Sequence, residues 1–171
     1  MEEQITITAS RAKELSRNRK MLDKISGTGV TVDIGDNQVS LSSDDAFSLV
    51  LAKSVITAFN RGFEYAQAIL LLKDDYDLSV ISLRDYTSSK KRQEQLKGRV
   101  IGSRGMIKEK LMRETGCYIK VYGKNVSILG PVDNIPLAEA AIEMILNGAK
   151  HDNVFSMINK KKVEVYRNGN R

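Results

Sequence analysis

A single cysteine, Cys117, and a single histidine, His151, stand in a chain of 171 residues. One cysteine closes no internal disulfide and builds no cysteine-based zinc site. One histidine builds no metal cluster, and it leaves a serine such as Ser103 without a nearby histidine base. Apolar runs are short. The longest, Ala68-Ile69-Leu70-Leu71-Leu72, is flanked by charge and falls far below the ~20 residues of a membrane span. The first residues, Met1-Glu2-Glu3-Gln4, are acidic, so no secretory leader and no membrane partner are expected. The expected setting is reducing and cytoplasmic.

What is present is charge of one sign in one place. The formal net charge is +6. Residues 84–124 hold 12 Lys/Arg against 4 Asp/Glu, residues 150–171 hold 6 against 2, and the remainder nets −6. A neutral-to-acidic scaffold with a basic centre and a basic tail points to a polyanion partner.

The chain also repeats itself. Thr28-Gly29-Val30-Thr31-Val32-Asp33-Ile34 resembles Thr115-Gly116-Cys117-Tyr118-Ile119-Lys120-Val121, an offset of 87 residues. The same offset aligns Val39-Ser40-Leu41 with Val126-Ser127-Ile128, and Val55, Ala58, Phe59 and Asn60 with Ile142, Ile145, Leu146 and Asn147. Within each copy, apolar and polar residues alternate over two short strands around a turn, at Gly35-Asp36-Asn37 and at Gly123-Lys124-Asn125. A helix follows each hairpin. The first is expected from a cap at Ser42 or Ser43 to about Arg61, ending at Gly62, and the second stops near Asn147-Gly148. Upstream, each copy has a strand and two short helices, expected at 9–16 and 20–25 in the first and at 90–100 and 106–115 in the second. The fold class is therefore α+β, with two tandem modules. Each is a three-stranded antiparallel-type sheet with helices on one face. A linking helix is expected over 62–73, and a basic C-terminal helix over 151–167.

Between the two short helices of the second copy lies Gly102-Ser103-Arg104-Gly105. Two glycines allow a tight turn and leave no Cβ in the way of an approaching backbone. The turn feeds a helix N-terminus, where free amides and the helix dipole favour a phosphate. Ser103 offers a hydroxyl and Arg104 a charge. Lys97, Arg99, Lys108 and Lys110 fall within two helical turns. Val100, Ile107, Leu111 and Ile119 are expected as an apolar floor for splayed bases, an arrangement suited to single-stranded RNA. The candidate RNA-binding residues are Lys97, Arg99, Val100, Ile101, Gly102, Ser103, Arg104, Gly105, Met106, Ile107, Lys108, Ile119, Lys120 and Lys124. Tyr86, Tyr118 and Tyr122 offer rings for stacking or for packing. Asp74, Asp75 and Asp77 read more simply as a helix end and turn than as a metal cluster. No cofactor, no metal and no catalytic residue is expected.

Val100-Ile101-Gly102-Ser103-Arg104-Gly105, with Thr115-Gly116 downstream, resembles the KH-domain motif. Val80-Ile81-Ser82-Leu83-Arg84-Asp85-Tyr86, Lys97-Gly98-Arg99 and Val121-Tyr122-Gly123-Lys124-Asn125-Val126 resemble the archaeal and eukaryotic pre-ribosomal KH proteins of the Pno/Krr type. The resemblance covers roughly 4–166 and is most specific in 75–146. It implies type I KH modules, rRNA processing in ribosome biogenesis and binding near the 3′ end of small-subunit rRNA. It also implies partnership with a Nob-type endonuclease and with the alpha subunit of translation initiation factor two. Where the first copy should carry the same loop it reads Leu15-Ser16-Arg17-Asn18-Arg19, with no glycine. The expected domains are thus 1–62, a degenerate KH module; 63–77, a linking helix and turn; 78–149, the KH module with the loop; and 150–171, a basic C-terminal helix and tail.

Overall fold

The computed structural model describes residues 1–169. Asn170 and Arg171, part of the expected basic tail, lie outside the described residues. The chain forms two compact units that divide after Leu78.

The first unit runs β1 (Glu2–Thr6), α1 (Ala9–Arg17), α2 (Arg19–Ser26), β2 (Thr31–Ile34), β3 (Gln38–Ser42) and α3 (Ala46–Asn60). Its sheet has the order β1-β3-β2, and β3 pairs antiparallel with both neighbours. Alternation explains the core: Val39 and Leu41 turn inward and are fully buried, while Gln38 and Ser40 stay part-exposed. On α3, Leu49, Ala52, Val55, Ile56 and Phe59 are buried at helical spacing. The cap is not Ser42 or Ser43. Asp45 takes that place, and its carboxylate accepts the amides of Phe47 and Ser48. Ser43 instead accepts the Asp45 amide and donates to the Gly29 carbonyl.

The expected linking helix is broken in two. A four-residue α4 (Tyr65–Ala68) gives way to a 3-10 turn, Ile69–Leu72. Ala68 and Leu71 are its buried positions. They lie three apart, the spacing that a 3-10 turn eclipses onto one side.

The second unit repeats the order: β4 (Tyr76–Ser82), α5 (Lys90–Ile101), α6 (Met106–Thr115), β5 (Tyr118–Tyr122), β6 (Asn125–Pro131) and α7 (Ile135–Leu146), with α8 (His151–Gly169) added. Its sheet order, β4-β6-β5, matches that of the first. The pairing register matches as well. Thr31 faces Ser42 and Val32 faces Leu41; 87 residues on, Tyr118 faces Leu129 and Ile119 faces Ile128. The core gathers Leu96, Val100, Leu111, Ile119, Val126, Ile128, Ala138, Ile142 and Ile145. Val154, Phe155 and Ile158 of α8 join it. Cys117 is buried there, and burial pushes its thiol up to about 11, so it is a packing residue rather than a reactive one.

In each unit an arginine ties down the helix that follows the hairpin. Arg11 of α1 donates to the Phe59 carbonyl at the end of α3 and lies 4.2 Å from the Phe59 ring centroid. Arg99 of α5 donates to the carbonyl of Ile145 in the last turn of α7 and to that of Ala149, just beyond the helix. Each adds a charged donor to a last-turn carbonyl that already accepts a turn amide, from Gly62 at Phe59 and from Gly148 at Ile145.

Candidate nucleic-acid interface

Two helices meet at the loop, and the backbone changes hand there. α5 ends on Gly102 (φ 75°, ψ 177°), a conformation essentially closed to residues with a side chain. Arg104 (φ 54°) and Gly105 (φ 74°) are both left-handed. Arg104 is the one described residue other than glycine with positive φ. The Gly102 amide donates to the Gly98 carbonyl at 2.8 Å, and the Gly105 amide donates to the Gly102 carbonyl at 3.3 Å. The turn is closed on itself.

The two glycines meet different surroundings. A Cβ on Gly102 would stand 2.4 Å from Ile107 Cγ1 and 2.9 Å from the Ile107 amide nitrogen. Helix α6 therefore sits directly against this residue. A Cβ on Gly105 would meet nothing within 4 Å. Gly105 is also the N-cap of α6, and no side chain caps that helix. The Met106 amide donates back to the Ser103 carbonyl, and the amides that follow in the first turn have no acceptor within the helix. The dipole and free amides of a helix start without a side-chain cap favour an anion.

Around this turn the candidate residues separate into groups. Ser103 and Arg104 are exposed on the loop, and Met106 stands 63% exposed at the start of α6. Ile101, Ile107 and Lys108 are half-buried beside them. Lys97 is half-buried one turn earlier and pairs with Glu94 at 2.7 Å.

Two expectations need correction. Val100, Leu111 and Ile119 are 0–1% exposed. They are core beneath the loop rather than a floor that bases could touch. Arg99 holds the end of α7 through its guanidinium, and its own carbonyl pairs with His151 Nε2 at 2.9 Å. Its charge stabilises a helix end and is spent there. Lys120 alternates with buried Ile119, so it lies with exposed Tyr118 and Tyr122 on the sheet face opposite the helices. Lys124 sits in the tight hairpin turn, where its carbonyl accepts the Leu83 amide at 2.8 Å. The half-buried apolar surface is instead supplied by Ile101, Ile107 and Val121. Val121 was not expected. Its signal was the strand alternation, since it shares parity with Ile119 and pairs with Val126 near the hairpin turn.

The Thr115-Gly116 pair also has a physical role. Gly116 (φ 71°) is the left-handed cap of α6, and its amide donates to the Met112 carbonyl at 2.9 Å. A Cβ there would lie 2.8 Å from Asn134 Nδ2. Thr115 Oγ1 donates to the Leu111 carbonyl at 2.7 Å. The pair thus stops the helix and launches β5. Asp74, Asp75 and Asp77 form no metal-holding group, and none exists among the described residues. No helix among the described residues is long and apolar enough to cross a membrane.

A two-helix turn on a three-stranded sheet of this order defines a KH fold. The family model for the eukaryotic-type KH domain (KH-domain type I) matches residues 77–163. A KH domain-containing protein of Methanocaldococcus jannaschii is 31% identical over 152 residues, covering 87% of this chain and 67% of the relative. A protein of unknown function from Aeropyrum pernix has the same fold at a TM-score of 0.90, with 24% identity, covering 99% of this chain and 95% of the other. Dim2p from Pyrococcus horikoshii OT3 gives a TM-score of 0.81 at 24% identity, covering 94% and 99%. A chain from the a/eIF2alpha-aDim2p-rRNA complex of the same organism gives 0.82 at 25% identity, covering 96% and 95%. The chain belongs to the pre-ribosomal KH-domain proteins of the Pno/Dim2p type.

Proposed function

We propose that this chain is a ribosome-maturation factor that grips single-stranded RNA, not an enzyme, and that the grip lies at Gly102-Ser103-Arg104-Gly105 in a KH module over 78–149. The observation that carries the reading is the uncapped first turn of α6 behind an open Gly105. A phosphate seated there takes the free amides, and about four nucleotides run past the loop, the usual footprint of the module. Ser103 and Arg104 add a hydroxyl and a charge. Ile101, Met106, Ile107 and Val121 offer apolar surface to bases, and Lys97 and Lys108 bracket the strand. The RNA is small-subunit rRNA near its 3′ end. A related chain bound with rRNA and a/eIF2alpha supports both the RNA class and the alpha subunit of the initiation factor as a partner. A Nob-type endonuclease, which the family resemblance implies, is the second protein partner. The first unit, 1–62, is a degenerate KH module; 63–77 links it to the second, and 150–171 is a basic appendage.

The deciding experiment replaces Ser103 and Arg104 together by Asp. Two negative charges would then face the phosphate, on side chains that are exposed and support no packing. Fluorescence anisotropy with single-stranded RNA is expected to show loss of tight binding, with an unchanged circular dichroism melt. Unchanged affinity would remove the loop from the mechanism.

A second reading, an adaptor whose main partner is protein, is favoured by one feature. An apolar groove of about 950 Å³ lies within the second unit, lined by Pro136, Leu137, Ala140, Met157, Val165 and Tyr166 among others. Tyr166 is 73% exposed there. Sequence-blind, weak RNA binding beside tight binding of a/eIF2alpha would favour the adaptor.

A further inference from the structure

The loop between α1 and α2 stands where the first unit should carry its phosphate turn, and it is closed by its own side chain. Asn18 is at once the C-cap of α1 and the N-cap of α2. Its Oδ1 accepts the Met21 amide at 3.1 Å, and its carbonyl accepts the amides of Met21 and Leu22 at 3.1 and 3.2 Å. The backbone never turns left-handed here: Asn18 has φ −87°. An internal acceptor thus fills the place that an incoming phosphate would take, so this helix end offers no backbone site.

The cap leaves side chains around it. Arg17, Arg19 and Lys20 are all exposed, and together with Glu14 and Asn18 they line one shallow hollow. Glu14 is the acid of that hollow, and it is already bound to Arg11 at 2.6 Å. Arg17, Arg19 and Lys20 enter no ion pair among the described residues. Asp23, one turn on, enters none either. Residues 13–24 hold five Lys/Arg against two Asp/Glu. Three unneutralised cations around a hollow form a polyanion contact that works through charge alone.

We infer that Arg17, Arg19 and Lys20 form a second RNA contact, one that holds the phosphate backbone through side chains and reads no bases. The inference rests on the RNA-binding reading of the second unit. It assigns the first unit a different task from its counterpart: to lengthen the hold on RNA without adding sequence preference. A charged fork tolerates any base, whereas a backbone turn fixes the strand's register.

The test uses the full chain and a series of labelled uridine oligonucleotides of increasing length, titrated at several salt concentrations. Wild type is expected to bind more tightly as the oligonucleotide outgrows the first contact. The variant Arg17→Gln, Arg19→Gln, Lys20→Gln should lose that gain, on the order of tenfold at low salt, and its salt slope should fall by about 2, at ~0.7 per phosphate contact. Binding of the shortest oligonucleotide should not change. No binding by wild type overturns both this inference and the reading beneath it. Wild-type binding with an unchanged slope in the triple variant overturns the inference alone. Poly-glutamate binding that the triple variant loses, with RNA binding intact, would reassign the cluster to an acidic protein and overturn it too.

Discussion

A methyl group added to Gly102 would collide with Ile107 at 2.4 Å, whereas one added to Gly105 would enter open space. The two positions therefore separate folding from binding. Gly102→Ala meets both a clash and a glycine-only conformation, and should cost about 2 kcal/mol or more. Gly105→Ala meets only the left-handed backbone, and should cost about 1 kcal/mol. RNA affinity should collapse in Gly105→Ala at little cost in stability, because a Cβ there occupies the face a phosphate must approach. Thermal denaturation and anisotropy measured side by side check the pair. A Gly105→Ala protein with full affinity would show that the phosphate does not approach this backbone.

At the scale of elements, the helix ends matter most. α6 begins without a side-chain cap and ends on a left-handed glycine, whereas α2 begins on Asn18. The free end is available to a ligand, and the capped one is not. The end of α7 is held by Arg99 from α5, a charged donor on helix-end carbonyls. Arg99→Leu should therefore lower stability by about 2 kcal/mol, since hydrogen bonds to charged groups contribute more than neutral ones. It should leave the salt dependence of RNA binding unchanged. A variant with a wild-type melting temperature and a shallower salt slope would instead place Arg99 on RNA.

For the whole molecule, charge placement decides more than total charge. The net +6 arises from a basic stretch at 84–124 and a basic end set against an acidic remainder. Association with RNA should weaken steeply as salt rises, because bound cations release counterions from the phosphates. For a short oligonucleotide that covers only the glycine loop, the logarithmic slope should be near −3, about 0.7 for each of some four phosphates. A titration from low to high salt measures it, and a flat response would mean that charge does not drive the association.

The order of elements, the repeat and the bounds of α6 could be read from the residues, because each rests on local physics. Strand alternation, helical spacing and glycine punctuation act over a few positions, and the offset of 87 residues returns as an identical hairpin register. The location of the phosphate turn was legible for the same reason, since Gly102 and Gly105 are demanded by their own backbone angles. Which neighbours were surface and which were core was not. Val100 and Ile119 are apolar like Ile107, a character that fits either a floor or an interior, and only packing buried them. Arg99 looked free because nothing near it in sequence binds it; its partners lie 46 and 50 residues away. The linking segment is no single helix: its four-residue α4 gives way to a 3-10 turn at Ile69, and the i, i+3 spacing of Ala68 and Leu71 puts them on one face in either form. Sequence determined the backbone's local conformation, and tertiary structure decided which side chains were left over to meet a ligand, because burial and long-range hydrogen bonds depend on residues that the chain brings together only when folded.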